Sequence, residues 1–342
     1  GGQGVYLLLR TSEKGEDVDF LADDIRILDA DGKEISEALV IPGVKPKIPK
    51  PAGHTNGTSA LGWLVPPADC CAGERPAIAT YAGKDKLPYI DGAVMLGLSL
   101  QWHVPEFPRL CLVIKTMEQR NKDLLAAAGW TVIDVDEWHP SQDHFANDYW
   151  WMVYNKIDVF RIKVGKILWI DADMYVWDDS LREVLEDTKL PADHIAMVQD
   201  CTAKNFNTGL MFFEPSISVY RHLRSGMISH HGWDGLDQPL INKEYTGRIV
   251  ELDPKFNTHG TAKTCKGVVA AHYTGRNKPS LASVKNLKLV SEGYRHVPYS
   301  LRCPHLYKEY FCAMKNARNY LSRELQGALK AVGDVKFCLS GG

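Results

Sequence analysis

The sequence predicts an α/β fold, with a mostly parallel sheet covered by helices on both faces. From Pro76 onward, apolar runs of strand length alternate with longer runs of helical pattern. The strand-like runs are almost continuously hydrophobic, which is typical of parallel strands buried on both faces. The chain has 342 residues, 45% of them hydrophobic, enough for one large domain with additions. In such a sheet, ligands bind beyond the carboxyl ends of the strands.

Residues 1–75 differ from the rest and are predicted to be an N-terminal β-rich extension. Two short strand candidates lie within residues 4–10 and 24–36, and Asp31-Gly32 is a strong hairpin signal. The stretch 41–76 is rich in proline and glycine, which is typical of a linker. The first Asp-Ala-Asp tripeptide, residues 29–31, is therefore a turn.

Residues 76–300 are predicted to form the main domain. Its expected strands are 76–82, 109–115, 130–135, 166–170, 194–200 and 207–216, and its expected helices are 92–103, 117–129 and 150–165. The helix over 150–165 places Val153, Ile157, Phe160 and Val164 on one stripe. Residues 301–342 are predicted to be a helical tail packed on the domain, because apolar residues recur at helical spacing between Leu306 and Val332.

Charge and composition exclude several classes of function. A formal net charge of -2 argues against a nucleic-acid or membrane-surface binder, since both depend on a positive field. No apolar run reaches the roughly 18 residues of a membrane span. The eight cysteines show no C-x-x-C spacing, and their pairing cannot be read from sequence. The Asn56-Gly57-Thr58 sequon and a start at Gly1, expected for a trimmed fragment, favour the secretory or Golgi lumen over the cytoplasm.

Two carboxylates follow the most hydrophobic strand. In "KILWIDAD", Asp171 and Asp173 come directly after the strand and are two residues apart, so on an extended backbone they would point to the same side. Such a pair could hold Mg2+ or Mn2+, which prefer oxygen ligands and leave room for phosphate oxygens. The alternative is that these acids only cap the following turn, "WDDS".

The Asp-Ala-Asp stretch resembles the D-x-D motif of nucleotide-sugar glycosyltransferases. Over residues 77 to about 280, the chain resembles glycosyltransferase family 8, whose members include glycogenin and galactinol synthase. The resemblance rests on "ATYAGKDKLPYIDGAVMLGLSL", "YNKIDVF", "FNTGLMFFEPS", "DGLDQPLIN" and "AHYTGRNKPS", which occur in the order of that family. It implies a GT-A fold, which is Rossmann-like.

The resemblance also implies roles for individual residues. Those implied to bind the donor nucleotide or its sugar are Thr80, Tyr81, Tyr89, Asn207, Asp234, Gly275 and Lys278. Those implied to act on the reacting sugar and diphosphate are Lys156, Asp237 and Gln238. His272 is implied as the third metal ligand, and a neutral imidazole suits Mn2+ better than Mg2+. The closing tryptophan of the family is Ser280 here, which puts the fit of that last loop in doubt.

The function implied is a metal-dependent retaining glycosyltransferase. It would use Mn2+, with Mg2+ as an alternative, and move a hexose-type sugar from a UDP-sugar to a hydroxyl of a carbohydrate, polyol or glycoprotein. One rival is a haloacid-dehalogenase-like phosphatase, whose motif wants Thr or Val where this chain has Tyr175. A second rival is a catalytically inactive sugar-nucleotide-binding protein.

Overall fold

The structure is a computed structural model and describes residues 6–7, 27–28, 62–67, 70–71, 75–85, 87–138, 154–200, 205–229, 237–259, 266–273 and 310. The chain divides into two compact units, residues 1–47 and 48–342. In the first unit, strands β1 (Tyr6–Leu7) and β2 (Ile27–Leu28) pair antiparallel, within the two predicted strand regions. The predicted Asp31-Gly32 turn lies outside the described residues.

A seven-stranded sheet forms the centre of the second unit. Its strands are β3 (Ala77–Gly83), β4 (Arg109–Ile114), β5 (Thr131–Val135), β6 (Ile167–Ile170), β8 (Ile195–Gln199), β9 (Phe206–Phe213) and β10 (Ile249–Leu252). The spatial order is β10-β8-β9-β6-β3-β4-β5, and every neighbouring pair is parallel except the two made by β9. The predicted mostly parallel α/β sheet is confirmed, and β6 is its middle strand.

Helices cover both faces of this sheet because the strands are apolar on both sides. In β6, Leu168 and Ile170 pack on the face covered by helices α1 (Leu87–His103) and α2 (Gln119–Ala127). Ile167 and Trp169 pack on the opposite face, against helices α3 (Ile217–Ser229) and α4 (Asp237–Glu244). The alternation follows from the two-residue side-chain period of a strand. Polar side chains begin only at the carboxyl end of β6, after the apolar residues of the strand.

The helix predicted over residues 150–165 ends earlier than expected. The structure has a 3-10 helix at Asn155–Arg161, and the backbone after it is extended. Leu64 donates its N–H to the carbonyl oxygen of Arg161 and accepts from the N–H of Lys163, both at 2.7 Å. This pairing with a segment about 100 residues earlier ends the helix at Arg161. Residues 150–153 lie outside the described residues.

A second, three-stranded sheet extends the domain beyond the carboxyl end of β6. Strand β7 (Met174–Val176) pairs antiparallel with β12 (Ala270–His272), which in turn pairs with β11 (Thr258–His259). In this register His272 lies opposite Met174. Residues about 100 positions apart in sequence are thereby brought to the same end of β6.

The remaining predicted elements are described only in small part. Of the proposed C-terminal tail, only Tyr310 is described, in helical conformation. The proposed boundaries at residues 75 and 300 stay predictions. Among the described helices, none has the length and apolar character needed to span a bilayer.

Candidate functional site

The two acids after β6 lie in a turn that joins β6 to β7. The N–H of Met174 donates to the carbonyl oxygen of Asp171 at 3.0 Å, which closes a turn around Asp-Ala-Asp. The backbone is therefore not extended as the sequence argument assumed, and the turn itself gathers the carboxylates. His272 Nε2 lies 3.2 Å from Asp173 Oδ1 and 4.0 Å from Asp171 Oδ2. One ligand atom from each of the three side chains lies within 4.8 Å of the other two.

Helix α1 fixes the position of this turn. A Cβ added at Gly92 would lie 2.2 Å from the carbonyl oxygen of Ala172, a distance that no real Cβ shows. The helix therefore packs directly against the middle residue of the Asp-Ala-Asp turn because position 92 carries no side chain. On the other side, the N–H of Asp171 donates to the carbonyl oxygen of Gly209 in β9 at 2.8 Å.

The three side chains suit a divalent cation. Two carboxylates and an imidazole are a donor set that Mn2+ accepts, while Mg2+ favours oxygen alone. The imidazole is oriented suitably for binding a metal ion, since Nδ1 of His272 contacts Asn257 Oδ1 at 2.9 Å and Nε2 faces the carboxylates. A metal-bound histidine commonly uses its second nitrogen in this way. The residues therefore fit the predicted ion.

Lys156 lies buried between the two acidic parts of the site. Its Nζ is 2.9 Å from Asp171 Oδ1, 3.0 Å from Asp237 Oδ2 and 2.6 Å from the carbonyl oxygen of Thr208. Burial alone lowers the pKa of Lys156, but the two carboxylates outweigh burial and raise its pKa above the ordinary value. All three N–H donors of the ammonium are engaged in these contacts. Its predicted contact with a diphosphate remains a prediction.

The start of α4 meets the start of β9 beside Lys156. Thr208 donates its hydroxyl to Asp237 Oδ2 at 2.8 Å, and Asn207 Nδ2 donates to Gln238 Oε1 at 3.1 Å. Asn242 holds the two elements in register, because its side-chain amide both donates to and accepts from the backbone of Phe206 at 2.8 Å. Three predicted residues, Asn207, Asp237 and Gln238, therefore lie together.

The end of β3 carries buried polar atoms of a different kind. Thr80 is fully buried, and its hydroxyl has no hydrogen-bond partner among the described residues. The hydroxyl of Tyr81 is likewise buried without a partner in that part of the chain. Burial, then the charges of Asp158 and Glu137, raise the pKa of Tyr81. Tyr89, on α1, is half-buried and close enough to add to that effect.

An aromatic cluster adjoins the acidic turn. The ring of Tyr310 lies 5.2 Å from that of Tyr175 and 4.9 Å from that of Tyr273, centroid to centroid. Burial, followed by the charge of Asp91, raises the pKa of Tyr310 well above its usual range, and Asp173 adds to this. Tyr310 is therefore distant from Asp173 in sequence but lies close to this predicted metal ligand in the structure.

Sequence reasoning missed several residues of the polar network and could not place others. Asp200, Thr208, Asn242 and Asn257 were not predicted, although Asn242 and Thr208 stand inside quoted motifs. Asp200 accepts hydrogen bonds from Asn207 at 3.2 Å and from Gln238 at 3.0 Å. The predicted residues outside the described part of the chain are Asp234, Gly275 and Lys278.

The model of the family described as "Glycosyl transferase family 8" matches residues 87–282, more than half of the chain. The chain belongs to glycosyltransferase family 8. The matched range contains the acidic turn, His272, Lys156 and the start of α4. Family 8 membership supports a glycosyltransferase and gives no support to the phosphatase alternative.

Curated relatives of this family 8 chain share short regions with it. It is 28% identical over 159 residues to putative UDP-glucuronate:xylan alpha-glucuronosyltransferase 3 of Arabidopsis thaliana, covering 46% of this chain and 24% of that protein. It is 36% identical over 94 residues to glycogenin of Komagataella phaffii, covering 26% and 22%. It is 24% identical over 193 residues to galactinol synthase 2 of Arabidopsis thaliana, covering 46% and 57%. The matches span less than two thirds of each relative.

A solved structure supports the fold of this family 8 chain. The glycosyltransferase GlyE of Streptococcus pneumoniae TIGR4 superposes with a TM-score of 0.53 at 16% identity, covering 74% of this chain and 64% of that one. Together with the mostly parallel sheet, this confirms the predicted GT-A fold.

Proposed function

We propose that this family 8 protein transfers a hexose-type sugar from a UDP-sugar to an acceptor hydroxyl, with Mn2+ and with retention of anomeric configuration. The observation that carries the proposal is the meeting of Asp171, Asp173 and His272 at the carboxyl end of the middle strand. The neighbouring parallel strand β3 carries the buried hydroxyls of Thr80 and Tyr81 in its carboxyl half. A metal-diphosphate region and a nucleoside region would then lie side by side.

The reaction separates a sugar from a nucleoside diphosphate, so negative charge builds on the departing phosphate. A divalent ion held by Asp171, Asp173 and His272 would act as a Lewis acid for those phosphate oxygens. Lys156 would hold Asp171 in place, since its buried ammonium lies 2.9 Å from Asp171 Oδ1. Lys278, by the family resemblance, would add a point charge for the diphosphate. Such preorganised charges act most strongly where charge develops.

The donor sugar would be held by the polar group at the start of α4. Asp237 and Gln238 would hydrogen-bond sugar hydroxyls, with Asn207 and Asp234 beside them. A site built from hydrogen-bonding side chains rejects analogues that lack the matching hydroxyl. For retention, we expect the acceptor to attack from the face that the diphosphate leaves, with the departing phosphate taking the acceptor proton. The amide oxygen of Gln238 would then face the positively charged sugar.

The donor and acceptor are to be settled by a screen. Several relatives are named as glucuronosyltransferases, and others as glycogenin and galactinol synthase. A panel of UDP-glucose, UDP-galactose and UDP-glucuronate therefore covers the donors that these names indicate, together with the hexose prediction. The acceptor is expected to be a carbohydrate, polyol or glycoprotein.

The deciding experiment measures donor hydrolysis with each UDP-sugar, with and without Mn2+, on wild type and on Asp173→Ala. We expect Mn2+-dependent release of UDP that Asp173→Ala abolishes. Asp178→Ala is the matched control, since Asp178 caps the following turn by accepting from the N–H of Ser180 at 2.8 Å and lies outside the cluster. This control should retain activity. Full activity of Asp173→Ala would remove the metal from the mechanism.

The same assay separates the rivals. Hydrolysis of a generic phosphate ester with no action on any UDP-sugar would support a phosphatase. Binding of UDP with no turnover of any donor, even with acceptors present, would support the inactive binding protein. We also propose a secretory or Golgi location; attachment of glycan at Asn56, seen as a mass shift removed by a glycosidase, tests this separately.

A further inference from the structure

The third predicted metal ligand, His272, is held by a chain of amide side chains that starts from the backbone of β9. His272 Nδ1 contacts Asn257 Oδ1 at 2.9 Å, and Asn257 Nδ2 donates to Asn207 Oδ1 at 2.8 Å. Asn207 Oδ1 also accepts from the N–H of Gly209 at 2.8 Å. Asn257 is only 2% exposed, so it has little access to water as an alternative partner.

The direction of every hydrogen bond in this chain is fixed by the backbone. The N–H of Gly209 is always a donor, so the oxygen of the Asn207 amide must face it. At its other end, Asn207 meets the Asp200 carboxylate at 3.2 Å, which requires the NH2 group there. Asn257 must therefore present its NH2 to Asn207, because two amide oxygens would repel each other. Its own oxygen then faces His272.

The consequence reaches the imidazole. An amide oxygen can only accept, so Nδ1 of His272 must carry the proton, and in the neutral ring Nε2 is then the unprotonated nitrogen. Nε2 is the atom that lies 3.2 Å from Asp173 Oδ1. The ring packs directly on the backbone of Gly209, since a Cβ at that position would lie 2.3 Å from His272 Cε1.

We propose that Asn257 is the positioning residue of the metal site: it holds His272 in the Nδ1–H tautomer with Nε2 aimed at the oxygens of Asp171 and Asp173. This proposal rests on the proposed function, because a bound metal ion is what gives the orientation of His272 a role. Hydrogen-bonded partners of metal-bound histidines orient the ring and raise its basicity. Asn257 itself would touch neither the ion nor the substrate.

The metal-free test is a two-bond 1H–15N correlation spectrum of the full chain. The spectrum is recorded at alkaline pH, and the signals of His272 are identified by their loss in His272→Ala. We expect the Nδ1–H tautomer in wild type and a mixture of tautomers in Asn257→Leu. Asn257→Asp keeps an acceptor for Nδ1–H and should keep the wild-type tautomer. An Nε2–H tautomer in wild type, or an unchanged tautomer in Asn257→Leu, would overturn the proposal.

The metal test titrates Mn2+ and follows the free ion by electron paramagnetic resonance. We expect Asn257→Leu to weaken Mn2+ binding about 10- to 100-fold, the usual effect of losing such a partner. Thr258→Val is the control for local disturbance, since its hydroxyl binds only the carbonyl oxygens of Pro254 and Lys255. Equal weakening by both variants would contradict a specific role for Asn257. Failure of wild type to bind Mn2+ would refute the proposed function, while the spectrum still decides the tautomer.

Discussion

The two ends of the candidate site differ in how their buried polar groups are satisfied. At the end of β6, Lys156 binds Asp171, Asp237 and the backbone, and the amides of Asn207 and Asn257 bind each other. At the end of the neighbouring β3, the buried hydroxyl of Thr80 has no partner among the described residues. In the described part of the chain, the polar groups at the end of β6 bind other groups of the protein, whereas the Thr80 hydroxyl is available to an external partner.

The difference follows from what each end is proposed to bind. A small ion demands ligands held at fixed distances, so the supporting side chains must be locked beforehand. A nucleoside can complete the hydrogen bonds of buried hydroxyls by itself. The free protein then bears the cost of an unpaired buried group, about 1–3 kcal/mol, which binding would relieve. The comparison therefore predicts opposite effects for similar substitutions at the two ends.

The largest effect is expected for Lys156→Met. Loss of the ammonium leaves the buried carboxylate of Asp237 and the half-buried carboxylate of Asp171 without their counter-ion, which costs about 3–5 kcal/mol in the free energy of unfolding. Because Asp171 then lacks a competing cation, added Mn2+ should raise the melting temperature of the variant more than that of wild type. Thermal unfolding with and without Mn2+ measures both quantities.

Lys122→Met is the matched control for that prediction. Lys122 forms a buried pair with Asp134 at 2.6 Å outside the candidate site. Its loss should destabilise the protein with no additional response to Mn2+. If both variants respond to Mn2+ alike, the link between Lys156 and the ion is wrong.

The next effect compares two threonines. Thr80→Val removes a buried hydroxyl without a partner in the described structure and should stabilise the free protein by about 1 kcal/mol. Thr208→Val removes a hydroxyl that donates to Asp237 at 2.8 Å and should destabilise it by about 1–3 kcal/mol. The same chemical change at the two positions should thus shift the free energy of unfolding in opposite directions, which urea unfolding measures.

UDP binding provides a second test of the Thr80→Val variant. Thr80→Val should weaken UDP binding measured by calorimetry, because the lost hydroxyl would be satisfied by the nucleoside. A destabilised Thr80→Val variant with unchanged UDP affinity would show that its hydroxyl serves the fold and not a ligand.

The smallest effect is expected for a surface ion pair that lies outside both ends of the candidate site. Arg182 binds Glu106 through two hydrogen bonds at 2.7 and 3.1 Å, and this pairing lowers the pKa of Glu106. A carboxyl group with a lowered pKa stabilises the folded state above its unfolded pKa of about 4.3, and that contribution is lost as pH falls through the folded pKa. Arg182→Gln should therefore cost about 0.2–1 kcal/mol at pH 7, because the pair is partly exposed, and progressively less as the pH falls below about 4.3. A cost that stays constant with pH would contradict this.

The sequence was sufficient for most of the strands but not for the site. Buried strands such as β6 and β4 are continuous apolar runs, so their type and their place along the chain could be read directly. The antiparallel insertion of β9 could not, since an apolar run does not state its direction. The acidic turn was placed correctly after β6, although the backbone there is a turn and not an extended strand.

The supporting residues lay beyond sequence reasoning for a physical reason. Asn257 and Asp200 act through hydrogen bonds to side chains 7 to 50 positions away, which exist only after β9, α4 and β12 have packed. Neither residue stands in a pattern with chemistry of its own. Lys156 was predicted to face a diphosphate, whereas the structure shows its contacts with Asp171 and Asp237, which no spacing in the sequence indicates.

The central claim is that Asp171, Asp173 and His272 share one divalent ion with a nucleoside diphosphate. The most direct measurement is the anomalous difference map of a crystal of the protein grown with UDP and Mn2+. We predict one peak at a coordination distance of roughly 2.0–2.4 Å from a carboxylate oxygen of each aspartate and from Nε2 of His272, with diphosphate oxygens completing the shell. A peak elsewhere, or a bound UDP whose diphosphate lies remote from these three side chains, would contradict the account.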